Sequence, residues 1–295
     1  MKIVLIGTVE FSLHMLIALC ESAAEIVGVI TSEDNRLNSD YADLVPCCKR
    51  NDIPFLLTND VNEAKAVKWI ERHQPDVIFC FGWSRLIKQP VLQLPPLGVV
   101  GYHPSELPKN RGRHPLIWAL VLGLKETAST FFFMDEGVDS GDILSQQHID
   151  ISVQDDARSI YTKMIETAKA QLLEFVVEMK SGEYQPIRQD HSQANFWRKR
   201  SKKDGQIDWR MSAKSIYNLV RGLTHPYVGA HLFHEGKEYK VWKSSIENYP
   251  ETDNIEPGKV IDIMVNNSVV VKCADGCIKL LETEPKIKLN IGDYL

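Results

Sequence analysis

Apolar and polar positions follow two rhythms along this chain. Ile3-Val4-Leu5-Ile6 is a short apolar run closed by Gly7, and Glu10 to Cys20 behind it reads as a helix, so the chain opens as strand, turn, helix. Apolar runs of the same kind recur at Ile26 to Ile30, Val77 to Cys80 and Val99 to Tyr102, with a helical stretch at Val61 to His73. Strands alternating with helices predict a mostly parallel sheet covered on both faces. From Asp155 to Met179, the residues Ile160, Met164, Ala168, Leu172, Phe175, Val176 and Met179 lie at helical spacing, the stripe of one long amphipathic helix that Gly182 ends.

From Glu183 to Gly205 the composition turns polar and closes on Arg198-Lys199-Arg200-Ser201-Lys202-Lys203, which predicts a linker. After it, Tyr239 to Trp242, Val260 to Met264, Ser268 to Val271 and Ile278 to Leu281 alternate with Gly and Asn turns, the pattern of a small β-barrel. The expected organisation is a Rossmann-like α/β domain over 1–182, a linker over 183–205 and an OB-like β-barrel domain over 206–295. There is no internal repeat and no low-complexity tract.

Composition adds exclusions. At 295 residues, 44% apolar and 25% charged, the chain is ordinary globular protein. A formal net charge of -5 argues against a broad grip on a phosphate backbone, which clustered Lys and Arg would carry. The six cysteines, Cys20, Cys47, Cys48, Cys80, Cys273 and Cys277, form no CxxC pair and no zinc pattern, so reduced thiols and no metal are expected. Met1 leads into Ile3 to Ile6 without a basic segment, and no stretch approaches the about 20 apolar residues of a membrane helix. A cytoplasmic protein is expected.

Two segments are candidates for chemistry. Tyr102-His103-Pro104-Ser105 follows the strand at Val99 to Tyr102, and open α/β sheets bind ligands beyond the carboxyl ends of their strands. Asp135-Glu136-Gly137-Val138-Asp139-Ser140-Gly141-Asp142 makes an acidic, glycine-bearing loop after the run Phe131 to Met134. A carboxylate beside an imidazole can fix its tautomer and move its pKa, so His103 and Asp139 would form an acid–base pair. Spacing alone favours the blander reading, because a lone histidine after a strand is more often packed or solvated, and Asp-Ser-Gly-Asp is an ordinary turn.

Several separated segments shift that balance. The opening Met1 to Phe11, the loop His103-Pro104-Ser105-Glu106-Leu107-Pro108-Lys109-Asn110-Arg111-Gly112-Arg113, Gly137 to Asp142, Ile207-Asp208-Trp209 and Val220 to Ala230 together resemble the folate-dependent formyltransferases related to methionyl-tRNA formyltransferase. The resemblance implies formyl transfer from N10-formyltetrahydrofolate as co-substrate to a substrate amine, without a metal and without a covalent enzyme intermediate. It assigns catalysis to His103 and Asp139. Folate binding falls to Trp83, Ser84, Arg85, Leu86, Gly137, Val138, Asp139, Gly141 and Asp142, and substrate binding to Thr8, Phe11, Ser105, Lys109 and Arg111.

The family carries an Asn two residues before the histidine, which helps hold the developing oxyanion; here Gly101 stands there. Losing one such donor can cost roughly 10²–10³ in rate. Asn110, a backbone N–H or water, or a protonated His103 are the candidates to replace it.

The acceptor is read from Thr31 to Leu44, where tRNA-acting relatives are expected to insert basic residues. Here the stretch is short and acidic, and Ser39-Asp40-Tyr41-Ala42-Asp43-Leu44 looks similar to the sugar N-formyltransferases. The expected partner is a UDP- or dTDP-linked amino dideoxyhexose of surface glycan biosynthesis, with the pseudaminic-acid type of pathway as a lead, no nucleic acid, no membrane, and a homodimer by analogy. Methionyl-tRNA is the alternative acceptor, glycinamide ribonucleotide a third, and a non-catalytic folate- or nucleotide-binding module the alternative of another class.

Overall fold

The computed structural model describes all residues except 34–37, 251 and 266. The first half of the chain runs β1 (Lys2–Ile6), α1 (Glu10–Cys20), β2 (Glu25–Thr31), α2 (Val45–Arg50), β3 (Phe55–Leu57), α3 (Ala64–His73), β4 (Val77–Cys80), α4 (Gln89–Leu92), β5 (Val99–His103), β6 (Arg111–Gly112), α5 (Pro115–Val121), β7 (Glu126–Phe133), β8 (Ile143–Asp150) and α6 (Ala157–Ser181). The remainder runs β9 (Phe196–Trp197), α7 (Ala213–Leu223), β10 (Ala230–His234), β11 (Lys237–Glu247), β12 (Val260–Ile263), β13 (Val269–Lys272) and β14 (Cys277–Glu284). Two compact units emerge, one of Met1–Pro115, Thr127–Ile149 and Thr162–Trp197, the other of Leu116–Glu126, Asp150–Tyr161 and Arg198–Leu295.

The first unit is built on a seven-stranded sheet of order β3-β2-β1-β4-β5-β7-β8. β1 pairs in parallel with β2 and β4, and β4 with β5, as the alternation of apolar runs and helices predicts. β7 runs antiparallel to β5, with His103 opposite Thr130. Strand order reverses between β1 and β4, and the crevice beyond their carboxyl ends is where such sheets hold ligands. Backbone contact is close there: the Ser12 hydroxyl donates to the Phe81 carbonyl at 2.5 Å, and a Cβ on Gly7 would lie 2.6 Å from the same oxygen.

α6 buries Met164, Ala168, Leu172, Phe175 and Met179, the stripe that its spacing predicts. Phe175 meets the sheet edge-on, 4.8 Å from Phe131 and 5.8 Å from Phe79 between ring centres. Phe131 in turn lies 5.3 Å from Phe81, so four aromatic rings form one continuous block beneath the crevice.

The second unit carries a five-stranded antiparallel sheet of order β10-β11-β14-β13-β12, where the sequence predicts an OB-like barrel. α7 packs Ile216, Leu219, Val220 and Leu223 against Val241, Val271, Ile278 and Leu280 of that sheet. The basic run before it is held by side chains: Arg198 pairs with Asp204 at 2.5 Å, and the Arg198 and Arg200 guanidinium groups lie 5.3 and 4.6 Å over the Trp118 ring.

Phe131 is fully buried between Phe81 and Phe175. Truncating a buried Phe costs about 3–5 kcal/mol. Urea unfolding of Phe131→Ala is expected to show a loss in that range, and a loss under about 1 kcal/mol would contradict the aromatic block as the centre of this core.

Candidate active site

His103 is the last residue of β5, and strand alternation sends it and Tyr102 to opposite faces. The Tyr102 ring stacks on Phe11 at 4.0 Å, and burial pushes its phenol pKa well up. His103 is also buried, with Nε2 2.8 Å from the Asn110 carbonyl oxygen. A carbonyl only accepts, so in the neutral ring the hydrogen resides on Nε2 and Nδ1 keeps its lone pair.

The turn from Pro104 to Asn110 exists to deliver that carbonyl. The Ser105 hydroxyl, wholly buried, donates to the Lys109 and Asn110 carbonyls at 3.0 and 3.2 Å, while the Ser105 carbonyl accepts from Thr130 Oγ1 at 2.7 Å. Asn110 has φ +62°, a left-handed conformation that Asn tolerates better than most residues. Ser105, expected to bind substrate, is thus a strut of this turn. Phe11 is likewise core, stacked on Tyr102.

Asp139 reaches the same place from the loop between β7 and β8. Its Oδ2 accepts the Gly112 N–H at 2.8 Å and lies 3.6 Å from His103 Nδ1, too long for a hydrogen bond and short enough for direct attraction to an imidazolium. Asp135 organises the loop, accepting from the Gly137 N–H at 2.9 Å and the Ser140 hydroxyl at 2.6 Å. Space requires glycine at position 141, where a Cβ would lie 1.8 Å from the Phe133 carbonyl oxygen, and favours it at Gly137, where a Cβ would push the Ser140 hydroxyl away from Asp135. The Asp142 carbonyl closes the loop by accepting the Phe133 N–H at 2.8 Å.

The loop after β4 contributes a further wall. Thr8, Ser32, Asn38, Asn59, Trp83, Ser84 and Arg85 line a small polar pocket at the β1/β4 crevice. Thr8 Oγ1 donates to the Gly82 carbonyl at 3.1 Å, Ser84 Oγ donates to Asn38 Oδ1 at 2.7 Å, and Arg85 donates to the Asn59 carbonyl. The Trp83 indole N–H is buried with no partner among the described residues. Gln89 bonds to Glu136 and Arg113 donates to the Ser84 carbonyl at 3.2 Å, so this loop, the acidic loop and the loop after His103 are tied together. Leu86 and Val138 stand exposed at 61% and 53%, an apolar side chain from each of the two loops expected to hold folate.

Of the cationic residues beside His103, Lys109 is half exposed and pairs with Glu106 at 3.4 Å. Arg111 is buried, its Nη2 2.6 Å from Gln189 Oε1 and 3.0 Å from His191 Nδ1. That guanidinium is engaged inside the protein, which removes Arg111 as an open fork for a phosphate. The space beside Gly101 is taken by Phe132 and Met134, whose side chains would come within 3.0 and 2.9 Å of a Cβ there. Asn110 does not swing toward it, since its Oδ1 accepts from Asn195 Nδ2 at 3.1 Å.

Sequence reasoning missed the segment from Ile187 to Trp197. Expected as linker, it bonds to the site loops instead: the Asn110 N–H donates to Asn195 Oδ1 at 2.8 Å, and Arg111–Gly112 pairs in parallel with Phe196–Trp197. Gly112, at φ +104°, would bring a Cβ to 2.3 Å from the Trp197 carbonyl. Nothing local marks these residues, because each partner lies some 85 positions away in the chain.

Among the described residues, no group of His, Cys, Asp and Glu side chains is arranged to hold a metal ion, and no helix is long and apolar enough to cross a membrane. Residues 1–176 match the formyl transferase family and residues 199–295 its C-terminal domain. Methionyl-tRNA formyltransferase of Caldanaerobacter subterraneus subsp. tengcongensis is 30% identical over 302 residues, covering 100% of this chain and 96% of that protein.

Among solved structures, WlaRD, a sugar 3N-formyltransferase crystallised in the presence of dTDP and 5-N-formyl-THF, superposes with a TM-score of 0.70 at 16% identity, over 97% of this chain and 99% of that one. HypX from Aquifex aeolicus, in complex with tetrahydrofolic acid, gives a TM-score of 0.68 at 19% identity over 96% of this chain, which spans 44% of HypX. The chain belongs to the formyl transferase family, enzymes that move a one-carbon group from formyltetrahydrofolate, and formyltetrahydrofolate is its co-substrate.

Proposed function

We propose that the protein formylates the amino group of a nucleotide-linked amino sugar, a UDP- or dTDP-linked amino dideoxyhexose of the kind built into surface glycans. The observation that carries this reading is the course of the chain after β2. The Glu10 N–H donates to the Asp40 carbonyl at 2.8 Å, the Ala42 N–H to the Thr8 carbonyl at 3.0 Å, and Asn38 Nδ2 to Thr8 Oγ1 at 3.4 Å. This stretch therefore folds back as a wall of the polar pocket and brings Asp40 and Asp43 with it. Residues 34–37 of the acidic stretch lie outside the described residues. Carboxylates at that position, with a net charge of -5, oppose the many phosphates of an RNA backbone far more than the single diphosphate of a nucleotide sugar. The likeness in fold to WlaRD over the full length of both chains supports the same reading.

The residues present fit a folate. The unpartnered Trp83 indole N–H and the backbone of the Gly137–Asp142 loop offer donors and acceptors to a pterin edge, and Leu86 and Val138 offer apolar cover. Bound there, N10-formyltetrahydrofolate would supply the formyl carbon: its bond to the acceptor nitrogen forms first, placing charge on the formyl oxygen, and its bond to N10 then breaks as that charge collapses. The acceptor amine sheds one proton and N10 gains one.

His103 Nδ1, bare while Nε2–H is held by Asn110, takes the amine proton. Asp139 Oδ2, 3.6 Å from Nδ1, stabilises the imidazolium, and the same Nδ1 returns the proton. Phe132 and Met134 crowd the position of Gly101, and a protonated His103, 3.6 Å from Asp139, is the group we assign to the developing oxygen charge.

A panel of UDP- and dTDP-linked 3-amino and 4-amino dideoxyhexoses, set against charged initiator methionyl-tRNA, tests the acceptor by product mass with N10-formyltetrahydrofolate as donor. Formamido sugar is expected; formyl-methionyl-tRNA alone would overturn the reading in favour of the activity named for the 30%-identical relative. His103→Asn and Asp139→Asn are each expected to lower turnover by about 10²–10⁴ with melting temperatures near wild type, and unchanged turnover in either would remove that residue from the chemistry. Gly101→Asn is expected to cost about 1–3 kcal/mol through crowding against Phe132 and Met134, without raising kcat. A stable, faster Gly101→Asn enzyme would contradict the packing seen there.

A further inference from the structure

We propose that Gln189 is a positioning residue for formyl transfer: its side-chain amide holds the acidic loop in the backbone conformation that brings Asp139 to His103, and Arg111 fixes which way that amide faces. The inference rests on the role given to Asp139 above. Gln189 is 3% exposed, and its Nε2 donates to the Asp139 carbonyl at 3.0 Å and the Gly141 carbonyl at 2.6 Å. A primary amide has two N–H bonds, and both are spent on these two carbonyls. Gln189 Oε1 accepts from Arg111 Nη2 at 2.6 Å. A guanidinium can only donate, so the oxygen of the amide must face Arg111 and the nitrogen must face the loop.

What the amide holds is a left-handed backbone. Asp139 has φ +51°, a conformation that most residues other than glycine avoid and that Asp, like Asn, adopts more readily. In that conformation its carboxylate turns to the Gly112 N–H and to His103, while its carbonyl turns to Gln189. Gln189 is itself anchored, because Ile187 exchanges two 2.8 Å backbone bonds with Ile143. Arg111 is anchored as well: its backbone pairs with the Phe196 strand, its guanidinium lies 5.8 Å over the Phe196 ring, and its Nη2 lies 3.0 Å from His191 Nδ1. One buried amide thus links the segment carrying Asp139 to the segment that supplies both Gly112 and the Asn110 carbonyl.

Two variants separate this role from packing. Gln189→Glu keeps volume and an acceptor for Arg111 but sets an oxygen against the two carbonyls, and Gln189→Met keeps volume and removes every polar contact. In both, exchange of the Gly112 amide hydrogen, followed by NMR without any substrate, is expected to speed up about tenfold or more while the β4 amides stay unchanged. With N10-formyltetrahydrofolate and a dTDP-linked 3-amino dideoxyhexose, kcat is expected to fall about 30-fold or more, with both KM values within about threefold of wild type. In an Asp139→Asn background the same substitutions are expected to slow turnover by less than about threefold, since Gln189 acts through Asp139.

Unchanged Gly112 exchange together with unchanged kcat would overturn the proposal. Equal slowing with and without the Asp139 carboxylate would overturn it too, as would failure of both variants to fold, which would make Gln189 a residue of stability alone. An Asp139→Asn enzyme at wild-type rate sinks the underlying role of Asp139 and is read in its own arm. No turnover of the amino sugar by wild type would fall on the acceptor assignment and leave the exchange result standing.

Discussion

The site depends on a single hydrogen bond that sets the state of one ring. His103 Nε2 lies 2.8 Å from the Asn110 carbonyl, an acceptor with no proton to give, and this leaves Nδ1 as the basic nitrogen of the neutral imidazole. Everything around it maintains that contact. Ser105 braces the turn from within, Asn110 takes a left-handed backbone to aim its carbonyl, and Asn195 holds Asn110 by both backbone and side chain. The sheet supplies the fixed end, because His103 is still paired with Thr130 of the neighbouring strand.

From that contact the chemistry follows with few parts. Asp139 Oδ2 sits 3.6 Å from Nδ1, beyond hydrogen-bond distance. In place of an amide beside the reacting oxygen, this chain has the flat crowding of Phe132 and Met134 against Gly101. In the mechanism we propose, the ring that handles the proton also carries the burden of charge stabilisation. Formyl transfer suits such an arrangement, since one proton leaves the amine and one must reach the folate nitrogen in the same cycle.

Much of the frame was legible in the residues. The apolar runs at Ile3 to Ile6 and Val77 to Cys80 became β1 and β4, and the stripe from Ile160 to Met179 became α6, because buried strands and an amphipathic helix each write a period into the chain. β3, of three residues, and β8, whose Ser145-Gln146-Gln147 centre is polar, carry no such signature. His103 and Asp139 were visible through resemblance, and the structure adds the distance between them. Phe11, Ser105 and Arg111 were legible as motif positions, but their burial depends on Tyr102, Lys109 and Gln189 as neighbours, which only folding reveals. Gln189 and Asn195 were invisible: polar residues in a polar stretch, they meet the site across 50 and 85 positions of sequence.

The claim underneath all of this is the protonation of one nitrogen. Long-range ¹H–¹⁵N correlation spectra of the His103 ring, recorded at a pH where the ring is neutral, measure it directly. The account predicts a protonated Nε2 and a bare Nδ1; a hydrogen found on Nδ1 would contradict it, because the nitrogen facing Asp139 would then have no lone pair to accept the amine proton.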